Sequence, residues 1–197
     1  MGLFDVFKKK SKSKLSTKDK KNNEQTVFLS LDDLFAHNFI NKGGKFLYCV
    51  TQQEALETLD KILEENNWEK ISCVQKELID FANQTKTQIS GSYDDSPFFT
   101  TCEHLIAETG NIMISSNQIK EMKLPELSTH FIVISNTSQI VKNMGEGLTG
   151  IKTKCKQKLP TNICEIKDYG NQKNKEGFMN YGLRNNKNTY LILVEDL

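Results

Sequence analysis

His130-Phe131-Ile132-Val133-Ile134-Ser135 decides the fold. Its apolar run shows no polar alternation, as expected of a strand covered on both faces, and such strands belong in the middle of parallel sheets with other layers packed above and below. Thr189-Tyr190-Leu191-Ile192-Leu193-Val194 reads the same way. Between the two, Ser138 can cap a helix whose buried stripe is Ile140, Val141, Met144, Leu148 and Ile151. Thr161 to Lys167 then reads as a strand, and residues 168–188 are polar and rich in Asn, Gly and Lys.

Working back from the central strand, Leu124-Pro125 marks a break. Before it, Leu105-Ile106-Ala107-Glu108-Thr109-Gly110-Asn111-Ile112-Met113-Ile114-Ser115-Ser116 reads as a hairpin, with Gly110 able to take positive φ where the chain reverses. On its outgoing strand Ile112 and Ile114 alternate with Asn111, Met113 and Ser115. Further back, Ser30 with Asp33 makes a capping-box-like start for a helix carrying Leu31, Leu34, Phe35, Phe39 and Ile40, ended by Gly43-Gly44. Lys45 to Val50 follows as a buried strand. Thr51 with Glu54 opens an amphipathic helix with Ala55, Leu56, Leu59, Ile62 and Leu63 on one face. Ile71 to Val74 is a strand, residues 75–83 a short helix, and the loop Gly91 to Pro97 leads into Phe98-Phe99-Thr100-Thr101-Cys102. Strands alternating with helices imply an α/β fold, a Rossmann-like, mostly parallel sheet with an inserted antiparallel hairpin.

The chain has 197 residues, 37% hydrophobic and 26% charged, with formal net charge +1. That length suits one globular domain. Charge is uneven: Lys8, Lys9, Lys10, Lys12, Lys14, Lys18, Lys20 and Lys21 meet only Asp19, so residues 1–25 read as a disordered Lys-rich tail and 26–197 as the domain. Leu3, Phe4 and Phe7 ahead of those lysines suit peripheral contact of residues 1–21 with an anionic membrane, the alternative to a merely solubilising tail. Arg184 is the sole arginine, which argues against a surface that grips phosphates through guanidinium forks, so no nucleic acid is expected. Cys49, Cys73, Cys102, Cys155 and Cys164 form no Cys-x-x-Cys pair; apolar surroundings for several of them suit reduced core residues and a cytoplasmic setting.

Three motifs are candidates for chemistry. Gly145-Glu146-Gly147-Leu148-Thr149-Gly150 has the spelling of a dinucleotide loop, with Asp168 at the spacing of a ribose contact. Helical pattern precedes it where a strand is required, so the glycines are read as positions of close helix packing. Cys102 and His104, two apart, would share a strand face near Glu108, but no second His or Cys cluster completes a metal site, and His37 and His130 have no evident partners. Neither a metal nor a cofactor is expected. Glu108, at the hairpin tip, can act as nucleophile or base if it is buried, because desolvation raises a carboxylate's pKa. Otherwise it is a solvated turn residue.

Ile106-Ala107-Glu108-Thr109-Gly110, then Leu124-Pro125, Ser138-Gln139-Ile140-Val141 and the terminal apolar strand resemble the LUD domain of lactate-utilisation proteins, the LutC/YkgG group, over roughly residues 45–197. The resemblance implies the NagB/RpiA/CoA-transferase class of α/β fold and a role in oxidising L-lactate to pyruvate beside iron–sulfur partner subunits. It carries Glu108 over as the catalytic candidate and Thr109, Gly110 and, by adjacency, Asn111 as ligand-binding candidates. Those domains also have a Gly-Pro-Ser-Arg-Thr-Ala-Asp-Ile-Glu-like segment and a later His-Gly-Pro for an anionic ligand. Cys164 to Asn188 contains neither, and Arg184 has no matching neighbours. The expectation is therefore an accessory protein of organic-acid metabolism with a degenerate active site that binds a small anionic ligand or a partner subunit. Two alternatives stand beside it: CoA-transferase-like chemistry on Glu108, and a non-catalytic binding module tethered at a membrane by its basic tail.

Overall fold

The computed structural model describes residues 29–155, 159–170 and 186–196. The Lys-rich stretch 1–25 and Arg184 lie outside them. In chain order the elements are α1 (Leu31–Asn41), β1 (Lys45–Cys49), α2 (Gln52–Glu65), β2 (Lys70–Ser72), α3 (Lys76–Ala82), β3 (Gln88–Ser90), β4 (Phe98–Thr100), β5 (His104–Ile106) and β6 (Asn111–Ile114). They continue with α4 (Ser116–Ile119), β7 (His130–Asn136), β8 (Ile140–Val141), α5 (Met144–Lys154), β9 (Cys164–Ile166) and β10 (Asn188–Val194).

Six strands form a sheet in the order β1-β10-β7-β4-β2-β3, every pair parallel. β7 lies inside it, between β10 and β4, as its unbroken apolar run requires. Its side chains divide between two cores. Phe131 and Val133 join Phe35 and Phe39 of α1, together with Leu105, Ile112 and Ile114 of the hairpin. Ile132 and Ile134 join Ala55, Leu59, Ile62 and Leu63 of α2 and Leu78 of α3. The amphipathic pattern of α2 thus lands on the sheet as the sequence indicates. α1 buries only Phe35 and Phe39; Leu31 and Ile40 are exposed.

Four expectations need correction. First, the hairpin is not inserted in the parallel sheet: β5 and β6 pair antiparallel inside a second sheet of order β8-β5-β6-β9. Where the chain leaves the main sheet after β4, the Gln139 side-chain amide donates to Cys102 O (2.7 Å) and Glu103 O (3.3 Å), and Glu103 N already donates to Met113 O of β6 (2.8 Å). Second, β6 has no solvent face, since Asn111, Ile112, Met113 and Ile114 are all buried. Third, Ile140 and Val141 do not belong to a helix capped by Ser138. They pair in parallel with Leu105 and Ile106, while α5 starts later, capped by Asn143, and leaves Leu148 exposed. Fourth, β1 is a half-buried edge strand instead of a fully covered one.

α5 covers the outer face of the second sheet, where Ile106, Met113 and Ile151 form a third, small core. The glycine motif lies within this helix, not in a loop ahead of it. A side chain at Gly147 would stand 2.9 Å from Met113 Cε and 3.4 Å from Ile106 Cδ1, so this glycine sets how closely helix and sheet pack. No helix among the described residues is long and apolar enough to cross a membrane.

Candidate functional site at the hairpin tip

The pairing of β5 with β6, Ile106 opposite Asn111, leaves Ala107-Glu108-Thr109-Gly110 as the reversal. Its backbone is held from three directions. Ala107 N and Glu108 N donate to Val141 O (2.8 Å) and Lys142 O (3.0 Å), prolonging the β5–β8 pairing. Asn38 of α1 donates through Nδ2 to Ala107 O (2.8 Å) and Glu108 O (3.2 Å). The Tyr169 hydroxyl is shared between Gly110 O and Ile166 O, both at 2.7 Å, and burial pushes this phenol well above its ordinary pKa. Gly110 takes φ +66°, and a side chain there would stand 2.5 Å from Phe39 N and 2.6 Å from Asn38 C. Only glycine fits between the tip and α1.

The side chains have different fates. Glu108 is exposed. Its backbone is fixed while its carboxylate is left to solvent, so the burial on which nucleophilic or base chemistry depends is not provided. Thr109 is also exposed, and its Oγ accepts from Asn111 N at 3.3 Å. Asn111 is buried, and its Oδ1 accepts from Lys42 Nζ at 2.6 Å. Lys42 is the residue the sequence reading missed. It caps the C-terminus of α1, 69 positions from Asn111 along the chain, and only its place before Gly43-Gly44 marks it as the end of a helix.

Among the described residues, neither the remaining ammonium hydrogens of Lys42 nor the side-chain amide hydrogens of Asn111 meet an acceptor. Thr109, Asn111 and Lys42 thus form a small group of donors at the tip, with Gly110 shaping the backbone beside it. The tip lies beside the chain that enters β1: Tyr169, bonded to Gly110 O, donates its N–H to Lys42 O at 3.3 Å. This is the amino end of the parallel strands. At their carboxyl ends, where open α/β sheets usually bind ligands, polar groups satisfy one another. Gln75 bonds Thr100 and Thr101, and Asp196 accepts from Thr137 and Ser138.

Cys102 and His104 do not share a face. The Cys102 thiol donates to Ser135 Oγ at 3.3 Å in the main core, and burial pushes it up to about 12, which makes it inert. His104 lies under α5 with Nδ1 3.2 Å from Gln139 O. His130 stacks edge-on against Trp68, and His37 contacts Asn41. Among the described residues no three His, Cys, Asp or Glu side chains gather as metal ligands would.

Residues 69–194 match the model of the LUD domain, which covers more than half of the chain. The protein belongs to the LUD domain family. In fold it is similar to a DUF162 family protein from Deinococcus radiodurans, whose crystal structure at 1.70 Å superposes with a TM-score of 0.59 and 13% sequence identity, covering 85% of this chain and 99% of that one. At that identity the likeness concerns the fold alone. No curated protein matches the chain.

Proposed function

We propose that this LUD-family protein is an accessory protein of organic-acid metabolism that binds a small anionic ligand at the hairpin tip, against Lys42, Asn111 and Thr109, without using Glu108 for covalent chemistry. The supporting observation is the contact between Lys42 Nζ and the neutral Asn111 Oδ1: an ammonium whose partner carries no charge keeps its positive charge for an incoming anion. Glu108, exposed on a rigidly held turn, is the group a partner subunit would meet, and the iron–sulfur subunits of lactate oxidation are the partners this reading names. The finer fold assignment, to the NagB/RpiA/CoA-transferase class, belongs to the same reading and draws support from the parallel sheet with a hairpin-bearing second sheet beside it.

Titration calorimetry with L-lactate and pyruvate tests the anion site. Saturable binding is expected, about tenfold weaker in Lys42→Met because one charge-assisted contact is lost. Absence of binding, or equal affinity in Lys42→Met, would overturn the reading. Incubation with acyl-CoA followed by hydroxylamine tests the chemistry: Glu108 should stay unmodified, and a glutamyl adduct would establish CoA-transferase-like chemistry instead.

A further inference from the structure

The outer face of α5 is left open by the rest of the fold. Gly147 and Ile151 are buried against the second sheet, whereas Gly145, Glu146, Thr149, Thr153 and Lys154 are exposed. Together with the half-buried Gly150 they line, among the described residues, a shallow and mostly apolar groove of about 550 Å³. Thr149 and Thr153 donate their hydroxyl protons back into the helix, to Gly145 O and Thr149 O, each at 2.8 Å. Neither proton needs water, so the surface is cheap to dry. Gly150 is fixed from within, because His104 Nε2 stands 2.6 Å from the position of an added Cβ. Gly145 has no such reason. Its Cβ would meet only Asn143 Oδ1, at 3.3 Å, among the described residues, and glycine is a poor helix former, so the space it leaves faces outward.

The charges of the groove stand at its two ends, Glu146 in the first turn of α5 and Lys154 in the last. They lie about 12 Å apart along the helix axis, too far to pair with each other. Among the described residues neither has an ion-pair partner, and Glu146 accepts only from Lys142 N, at 2.9 Å, through one carboxylate oxygen.

The lining is symmetric about the point between Thr149 and Gly150. If α5 is laid antiparallel on a copy of itself, with a two-fold axis through that point, Thr149 faces Gly150, Glu146 faces Thr153 and Gly145 faces Lys154 of the second copy. Glu146 then lies beside the second copy's Lys154, whose stem occupies the space left at Gly145, and symmetry makes the pair twice. Antiparallel helices also bring opposite macrodipole ends together, and glycine and threonine permit a close interaxial approach of about 8 Å. The formal net charge of +1 sets little repulsion between copies.

We propose that this face of α5 is a self-association surface, on which a second copy of the chain docks α5 against α5, antiparallel about a two-fold axis between Thr149 and Gly150, with Glu146 of each copy paired to Lys154 of the other. One helix pair buries less than the roughly 1,600 Å² of a standard interface, so the dimer is reversible, with a Kd on the order of 0.1 mM. It uses none of the residues of the hairpin tip.

Sedimentation equilibrium of the full chain, from about 1 μM to about 1 mM, tests the proposal. The weight-average mass should climb from monomer toward dimer, and climb less as salt is added. Thr149→Arg puts bulk and like charge at the axis from an exposed position, and should leave the chain monomeric with an unchanged circular dichroism spectrum. Glu146→Lys and Lys154→Glu should each weaken association at least about tenfold, because like charges then meet at both ends. An equimolar mixture of these two variants should associate again, since each finds the opposite charge across the axis, a rescue that a misfolded variant would not show. A chain that stays monomeric throughout, a dimer that survives Thr149→Arg, or a mixture no more associated than its components would overturn the proposal.

Discussion

Gly110 shows how one residue links the fold to the candidate site. Its positive φ turns the hairpin, and its missing side chain lets the tip rest on the backbone of Asn38 and Phe39. Gly110→Ala meets both constraints at once, so a loss of about 3 kcal/mol or more is expected, read as a lower denaturant midpoint at unchanged slope. The turn itself was legible, because glycine after a short polar segment between apolar runs is a reversal signal. The chemistry of its neighbours was not. Whether Glu108 is buried depends on what packs over the tip, and Lys42 reaches Asn111 only because α1 ends beside it. The spacing of Cys102 and His104 likewise implied one face, but the chain leaves the main sheet between them, and each serves a different layer.

Among the elements, helices with a strong cap and a complete apolar stripe were read correctly. Thr51 Oγ accepts from Glu54 N at 3.1 Å, while the Glu54 carboxylate reaches one residue beyond the cap, to Val50 N at 2.8 Å. Thr51→Ala should therefore lower stability by about 1 kcal/mol, measured by thermal or chemical unfolding, with the rest of α2 intact. α5 was misread. Ile140, Val141, Met144 and Ile151 fit a helical stripe, but two adjacent apolar residues fit a strand equally well, and the available partner strand β5 decides between them. Of the motif's glycines, Gly147 and Gly150 are positions of close packing, against Met113 and His104, while Gly145 meets only Asn143 Oδ1; the stretch ahead of them is a short strand, β8, where the apolar pattern suggested helix. β3 escaped notice because three residues, two of them polar, give too little periodicity to register.

At the scale of the whole molecule, Lys187 ties the entrances of two central strands together. It is 1% exposed, precedes β10, and donates through Nζ to Leu127 O (2.8 Å) and Ser128 O (2.9 Å) ahead of β7. Burial lowers its pKa to about 8 from an ordinary 10.5. Below pH 8 the group is protonated in both folded and unfolded chains, and the cost of burying its charge is fully present. Between pH 8 and 10.5 the folded protein releases the proton first, so this group's contribution to stability rises with pH, by at most about 3 kcal/mol in total. Buried Cys73, held up at about 11, works in the opposite sense, so the comparison must be made against Lys187→Met. The difference in unfolding free energy should shift in favour of the wild type as pH rises through that window; a flat difference would refute the shift.

The sequence by itself determined the class of fold, the inside position of His130 to Ser135 and the place of the hairpin turn, because burial on both faces and chain reversal leave local marks in apolar runs and glycines. Only the tertiary structure decided that the hairpin belongs to a second sheet, that Glu108 faces solvent, and that Lys42 and Gly150 stand beside Asn111 and His104. These are contacts between residues far apart in the chain. Their partners are selected by the packing of layers, which local periodicity does not encode.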